Sequence, residues 1–547
     1  MGVIVPIPSW DSSWHLLAPA ARAARVVCIG LYTAAQALLV MYSLHRCLLL
    51  WRRWRMRGRP RPVPATPAEW PRVTVQLPVY NERRVIERLI DAVARLDYPA
   101  DRLEIQVLDD SSDETRAWAV RAAARHAARG VNIRVLHRTH RTGYKAGALA
   151  AGTRVARGDF LAVFDADFVP KPDFLRRALP HFADPRVGMV QARWGHLNRD
   201  GSRLTAGQAM FLDSHFAIEH ETRMRCGLFL NFNGSAGVWR RACVEAAGGW
   251  THDTLTEDLD LSYRAQLAGW RFVYDDAIEA PAELPGDLEA LRSQQRRWVK
   301  GSIQTARKIL PRLLAGPWPA AVKLEALVHL TNHLAYPVLL GVLLLPLPAV
   351  RGRGEPVIAG WMQAALVVPG LAFLVAGQFI RGRRRGLVRD VTTAVLLGIG
   401  LALNNARAAF AGLGGPAGEW ERTPKTGSGW SDARGRTYAS ARRLAGRTEL
   451  LLALGFTGVA AVAARTGRWG AMPMLLMLVI AFGWVGAGTL RASLAAIRAG
   501  RSSPTCARAA RSAYPRSPSR APAPRPTGTS DAPWRSPRNR SAEAAPA

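Results

Sequence analysis

Ile105-Gln-Val-Leu-Asp109-Asp110-Ser-Ser-Asp113 and Phe160-Leu-Ala-Val-Phe-Asp165-Ala-Asp167 share one design: a short apolar, β-prone run that ends abruptly in carboxylates. Runs of this length, bounded by turn residues, read as buried strands. Residues 73–77 and 133–136 are further runs of the type, and the stretches 82–96 and 114–129 between them carry helical periodicity. Strands separated by helices predict an α/β domain with a mainly parallel sheet, whose ligands lie beyond the carboxyl ends of its strands. The acidic clusters fall at those ends.

Asp165 and Asp167 alternate at a strand end, where two carboxylates can share one divalent cation; such hard oxygen ligands suit Mg²⁺ or Mn²⁺, which bind diphosphates well. A metal held there would neutralise charge on a departing diphosphate. A lone Asp after a strand is ordinarily a turn cap, but two acidic strand ends in one sheet weaken that reading. Lys145, in Arg141-Thr-Gly-Tyr-Lys145-Ala-Gly147, sits among small residues that let amides and an ammonium group approach a phosphate. By itself, a Gly-flanked Lys is more often a solvated loop residue. Thr256-Glu257-Asp258 precedes an amphipathic stretch at 259–268 and admits two readings. Either Thr256 or Asp258 caps the helix, or Asp258 is a general base that removes a proton from an acceptor hydroxyl. Spacing does not choose between them. In Gln294-Gln-Arg-Arg297-Trp298, helical spacing puts Gln294, Arg297 and Trp298 on one face. Trp offers a flat surface to a sugar ring, and Gln and Arg offer donors to hydroxyls and phosphates. The plainer alternative is an interfacial helix anchored by Trp and Arg.

Around this domain the chain turns apolar. Residues 26–50 form a run long enough to span a bilayer, stopped by Trp51, Arg52, Arg53, Trp54 and Arg55. The basic cluster after it reads as the stop of an uncleaved anchor rather than a cleavage site. A short N-terminal segment, 1–25, precedes the anchor, and a Pro- and Arg-rich linker, 51–71, leads to the α/β domain at 72–311. Apolar runs return at 326–350, 356–379, 391–413, 450–464 and 471–490, within a membrane domain at 312–490. The run 391–413 contains Asn404, Asn405 and Arg407, and a full crossing would put two basic loops on opposite sides of the membrane. It is therefore expected to be interfacial or re-entrant, which leaves about five spanning helices and an external N-terminus. Residues 491–547 read as a disordered basic tail. The 547 residues carry 74 Lys and Arg against 41 Asp and Glu, a net charge of +33. That excess clusters beside the apolar runs, which argues for membrane lipids as partner and against nucleic acid. The five cysteines form no CxxC pair, so neither a zinc cluster nor a disulfide framework is expected. Cys226 and Cys243 read as core thiols.

Taken together, Asp109-Asp110, Asp165-Ala-Asp167, Thr256-Glu-Asp258 and Gln294-x-x-Arg297-Trp298 resemble the D, DxD, TED and QxxRW series of family 2 inverting glycosyltransferases. The resemblance is to the processive membrane synthases of cellulose, hyaluronan and chitin, and covers about residues 73–425. Arg141-Thr-Gly-Tyr-Lys-Ala-Gly147, Val190-Gln-Ala-Arg-Trp194 and Asn231-Phe-Asn-Gly-Ser-Ala-Gly-Val-Trp239 are closer still to cellulose-synthase-like glucomannan and mannan synthases. The resemblance implies a cytosolic GT-A domain inserted between transmembrane helices. Asp109 and Asp110 would hold the donor nucleoside with help from Tyr80 and Glu82. Asp165 and Asp167 would bind metal and diphosphate, Lys145 phosphate, and Asp258 would be the base. Phe232, Gly234, Ser235 and Glu257 would border the acceptor, with Gln294, Arg297 and Trp298 as the floor beneath it. Trp420-Glu-Arg-Thr423-Pro-Lys425 is similar to the FxVTxK gating loop of cellulose synthases, with Trp and Arg replacing Phe and Val. In a gating-like loop at 415–447, Thr423 and Lys425 would reach the donor diphosphate.

The implied reaction moves a hexose from GDP-mannose or UDP-glucose to a β-linked polysaccharide such as mannan, glucomannan or glucan. Transfer of single sugars to a lipid acceptor is the nearest alternative. A polytopic transporter with a regulatory α/β domain is the alternative from another class, with Asn332 and His333 marking its path.

Overall fold

The strand signal and its acidic ends are realised together in a computed structural model, which describes residues 14–59, 64–344, 357–415, 418, 427 and 446–501. Seven strands form one sheet: β1 (Val73–Val79), β2 (Leu103–Asp109), β3 (Ile133–His137), β4 (Phe160–Val163), β5 (Val187–His196), β6 (Gly237–Arg240) and β7 (Arg271–Ala282). Their order is β3-β2-β1-β4-β6-β5-β7. β1 pairs in parallel with β2 and β4, β2 with β3, and β5 with β7; β6 alone runs against its neighbours. The first four strands match the sequence reading, as do the helices Ile86–Val93 and Thr115–Ala127. β5, β6 and β7 were not read from the sequence: β6 is four residues long, and Asp275 and Asp276 interrupt the apolar run of β7.

Helices cover both faces of the sheet, which is why β1 and β2 are buried almost throughout and read as continuous apolar runs. One core gathers Val75, Leu77, Ile105, Phe164 and Phe174, the other Leu149, Met189, Phe232, Trp239 and Tyr274. After β1 the chain moves outward to β2 and β3, then returns to place β4 on β1's other side. This reversal opens a crevice at the carboxyl ends of β1 and β4, where ligands bind in open α/β sheets.

Among the described residues four helices are long and apolar enough to cross a membrane: Val26–Arg55, Ala320–Leu344, Arg447–Arg465 and Trp469–Leu494. The run expected at 356–379 is the helix Val357–Ile380, of which Ala364–Ile380 is a shorter apolar stretch among the described residues. The run 391–413 forms two helices, Leu387–Gly400 and Ala402–Gly414, bent by 47°; counted as one span, they would make five. Buried ion pairs join these helices to the α/β domain: Arg223 Nε to Glu325 Oε1 at 3.0 Å, Arg199 Nη1 to Asp390 Oδ2 at 3.3 Å, and Arg292 Nη1 to Glu449 Oε1 at 2.5 Å. Cys243 is buried, as expected, but Cys226 is exposed, because it follows the last turn of the helix Glu221–Arg225 rather than facing the core. Met1–Ile497 is one unit and Arg498–Ala547 a second, of which only the end of the helix Met472–Arg501 is described. Thr423 and Lys425 of the expected gating-like loop, residues 1–13 and most of the expected tail lie outside the described residues.

Candidate active site

A cavity of about 450 Å³ opens at the crevice. Tyr80 and Glu82 after β1, Asp110 after β2, Asp165 and Asp167 after β4, Lys145, Gly234, Glu257 and Asp258, and Gln294, Arg297 and Trp298 all line it. Asp109, Phe232 and Ser235 do not.

At one end, the two adjacent aspartates separate. Asp109, the last residue of β2, is fully buried and accepts from His137 Nδ1 at 2.7 Å and from the Ser111 amide at 3.1 Å. Asp110 faces the cavity and is held by two Arg138 donors at 2.8 and 2.5 Å. Asp109 thus shapes the turn that presents Asp110. The Arg141 guanidinium lies over the Tyr80 ring, 3.5 Å from its centroid, with Tyr144 4.8 Å away on the same group. Burial lowers the Arg141 pKa, an effect offset in part by Tyr80 and Asp110. Arg138 and Arg141 escaped sequence reasoning because their cavity-side roles depend on which aspartate turns inward.

Further in, Lys145 Nζ sits 2.5 Å from Asp165 Oδ1, donates to the Gly234 carbonyl at 2.8 Å, and lies 3.9 Å from Glu257 Oε1. Burial opposes its charge, but the Asp165 and Glu257 carboxylates outweigh it and raise its pKa, so the ammonium is retained. Ser235 works from below, its hydroxyl accepting from the Asp165 amide at 2.9 Å. Phe232 packs edge-on against Trp239, ring centroids 5.5 Å apart, and supports the loop from the core.

Glu257 and Asp258 open the helix Glu257–Leu267. The Thr256 side chain makes no capping bond. Asp258 Oδ1 accepts from the Leu259 amide at 2.8 Å, leaving Oδ2 beside Gly234. Burial, and then the neighbouring Glu257 carboxylate, push the Asp258 pKa up to about 7, against the pull of Lys145. Glu257 is raised as well, mainly by burial. A carboxyl poised near neutrality suits general base chemistry. Gly234 has φ +84°, and a Cβ there would stand 2.8 Å from Asp258 Oδ2 and 3.4 Å from Lys145 Nζ. Gly234→Ala is accordingly expected to lower turnover by about 100-fold, the scale on which small misplacements of reacting groups act. Steady-state kinetics beside an unchanged donor affinity would check it.

The helix Leu288–Ala315 reaches the same cavity because Gly301 rides directly on Thr256; a Cβ there would meet the Thr256 amide nitrogen at 2.8 Å. That contact sets Gln294, Arg297 and Trp298 on the wall shared with Asp258. Toward the long apolar helices the lining mixes apolar Leu397 and Leu401 with a polar group of His215, Glu219, Asn233, His329, Asn332 and His333. Of these the sequence reading found Asn332 and His333, and Asn233 as part of the stretch Phe232 to Ser235 set beside the acceptor; His215, Glu219 and His329 it missed. The i, i+4 spacing of His215 and Glu219 was a usable signal for a helical pair.

Asp165 and Asp167 offer the hard oxygens a divalent ion takes, and both line the cavity. Among the described residues no three His, Cys, Asp or Glu side chains converge as a complete cage. Two carboxylates suit an ion that takes its remaining ligands from water and a diphosphate, as Mg²⁺ commonly does. The residues fit such an ion.

Residues 71–301 match the family described as glycosyltransferase like family 2. Glucomannan 4-beta-mannosyltransferase 2 of Arabidopsis thaliana is 36% identical over 68% of this chain and 70% of its own. Glucomannan 4-beta-mannosyltransferase 1 of Oryza sativa subsp. japonica is 44% identical over 49% of this chain and 53% of its own. The mannosyltransferase PcManGT from Pyrobaculum calidifontis, solved in complex with GDP-Man and Mn²⁺, superposes with a TM-score of 0.51 at 24% identity, covering 71% of this chain and 98% of that one. That likeness establishes the GT-A fold. With the sheet, the acidic strand ends and a relative matched over 70% of its length, the chain belongs to the family 2 glycosyltransferases, in the branch of the glucomannan 4-beta-mannosyltransferases.

Proposed function

We propose that the protein transfers mannose from GDP-mannose to the end of a growing β-linked glycan, a mannan or glucomannan, at the cavity between its GT-A domain and its membrane helices. The observation that carries this reading is the convergence of Asp165, Lys145, Asp258 and Trp298 on one cavity, in a chain whose relatives are named for mannosyl transfer. UDP-glucose is the competing donor.

In this reading Tyr80, Glu82 and Asp110 hold the nucleoside, Asp109 supporting Asp110 from beneath. Asp165 and Asp167 hold Mg²⁺ or Mn²⁺, which when bound supplies positive charge to the diphosphate. The Lys145 ammonium faces the same charge, and Trp298 stacks the acceptor sugar while Gln294 and Arg297 bond its hydroxyls. Asp258 takes the proton from the attacking hydroxyl as its oxygen bonds to the anomeric carbon and the nucleoside diphosphate leaves from the opposite face. The linkage is inverted to β. Thr423 and Lys425 approach the diphosphate from the gating-like loop. The domain works on the cytosolic face, from which the donor is drawn, and the glycan leaves toward the membrane helices.

Purified protein in lipid, given Mg²⁺ or Mn²⁺ and labelled GDP-mannose or UDP-glucose, is expected to make long β-linked product from GDP-mannose. Product from UDP-glucose alone would change the sugar, single-sugar lipid product would move the reading to glycolipid synthesis, and no transfer would overturn it. The pH dependence follows from Asp258. Its raised pKa leaves it protonated, and useless as a base, below about 7. The kcat/KM is therefore expected to be flat above that value and to fall up to about tenfold per pH unit beneath it. Glu257→Gln removes a charge that raises the Asp258 pKa, so this limb should move to lower pH.

A further inference from the structure

Among the described residues one segment, His215–His220, is π-helical. Such turns are rare and commonly mark functional positions. Here the wider turn brings three side chains to bear on Asn233 or on one another. His215 Nδ1 lies 2.7 Å from Glu219 Oε2, His215 Nε2 is 3.0 Å from Asn233 Nδ2, and His220 Nε2 is 2.6 Å from Asn233 Oδ1. Asn231 Nδ2 donates to the same Asn233 oxygen at 3.2 Å.

The proton positions follow from this geometry. With Asn233 Oδ1 receiving two donors, its NH₂ must point at His215, so His215 Nε2 accepts and the ring proton sits on Nδ1, donated to Glu219. Arg223, buried and itself paired with Glu325, stands 3.4 Å from Glu219 and keeps that carboxylate an anion. Every bond in the chain then has one direction. Asn233 leads to the reaction centre through its own backbone: its main-chain N–H donates to Gln191 Oε1 at 2.9 Å, and the carbonyl of the next residue, Gly234, accepts from Lys145 while Gly234 abuts Asp258.

We propose that Glu219 and His215 are positioning residues: they fix the orientation of the Asn233 side chain and, through Gly234, the placement of Lys145 and Asp258. Neither touches the reacting atoms in this role. The inference rests on the reading of Asp258 as the base.

The test uses full-length protein in lipid nanodiscs. His215→Gln keeps an amide oxygen able to accept from Asn233, whereas His215→Phe keeps ring size and loses the acceptor. His215→Phe is expected to lower kcat by about 100-fold, the scale of a small misplacement, with donor KM and thermal midpoint unchanged, while His215→Gln retains most of the turnover. Glu219→Gln replaces the anionic acceptor of the Nδ1 proton with a neutral amide that donates as readily as it accepts, so the tautomer is no longer held. It should impair the wild type but add little to His215→Gln, as expected for residues in one network. Equal activity of the Phe and Gln variants, or loss of donor affinity in both, would overturn the proposal. Nitrogen-15 NMR of labelled histidine reads the tautomer without turnover. A protonated Nδ1 at His215 that changes in Glu219→Gln supports the chain of bonds, and a protonated Nε2 in the wild type overturns it. A wild type that transfers no hexose would sink the proposed activity, and the tautomer would still decide this inference.

Discussion

Asp258→Asn is expected to lower kcat by about 10²–10⁴-fold, the range that a general base contributes, while donor affinity stays within a few-fold. The substitution is nearly isosteric. The asparagine oxygen can still accept from the Leu259 amide, and Lys145 keeps Asp165 and the Gly234 carbonyl. What disappears is a cavity carboxylate whose pKa burial and Glu257 push up to about 7. Turnover and nucleotide binding measured on the same preparation separate chemistry from folding. A kcat within tenfold of wild type would remove Asp258 from the role and turn attention to Glu257, which is raised too.

Glu449→Leu is expected to destabilise the protein by about 3–5 kcal/mol, the cost of leaving a buried charge without its partner. Arg292 and Glu449 side chains are 10% and 1% exposed, and their 2.5 Å contact ties the helix that carries Trp298 to the apolar helix Arg447–Arg465. Among the described residues Arg292 also stands 3.8 Å from Glu289, too far to replace Glu449 at hydrogen-bonding distance. Adding Arg292→Met should restore most of the loss, because two apolar side chains of similar volume need no counter-charge. Thermal midpoints of both variants in detergent test this. A double variant as unstable as the single one would mean that the pair fixes helix placement rather than balancing charge.

Much of the candidate site was legible in the sequence for a simple reason: strands buried on both faces are short apolar runs, and polar residues at their ends stand out. Asp110, Asp165 and Asp167 could be placed at strand ends from local pattern alone, and Gln294, Arg297 and Trp298 on one helical face from spacing. Asp258 could not be separated from a helix cap by spacing. Only its burial against Glu257 and Gly234 makes it a group that titrates near neutrality.

The sequence by itself determined the parallel α/β core, the apolar helices around it and the family, because periodicity, composition and motif order are local properties. The tertiary structure decided the rest. It turned Asp109 inward and Asp110 outward, since only the approach of His137 and Arg138 from elsewhere distinguishes two adjacent aspartates. It inserted β6 against the direction of its neighbours, and it seated Gly301 on Thr256 so that two distant motifs share one cavity. It also assembled Glu219, His215 and Asn233 into a directed chain, through a π turn that the i, i+4 spacing of His215 and Glu219 alone does not reveal. These are long-range contacts, set by how the elements pack.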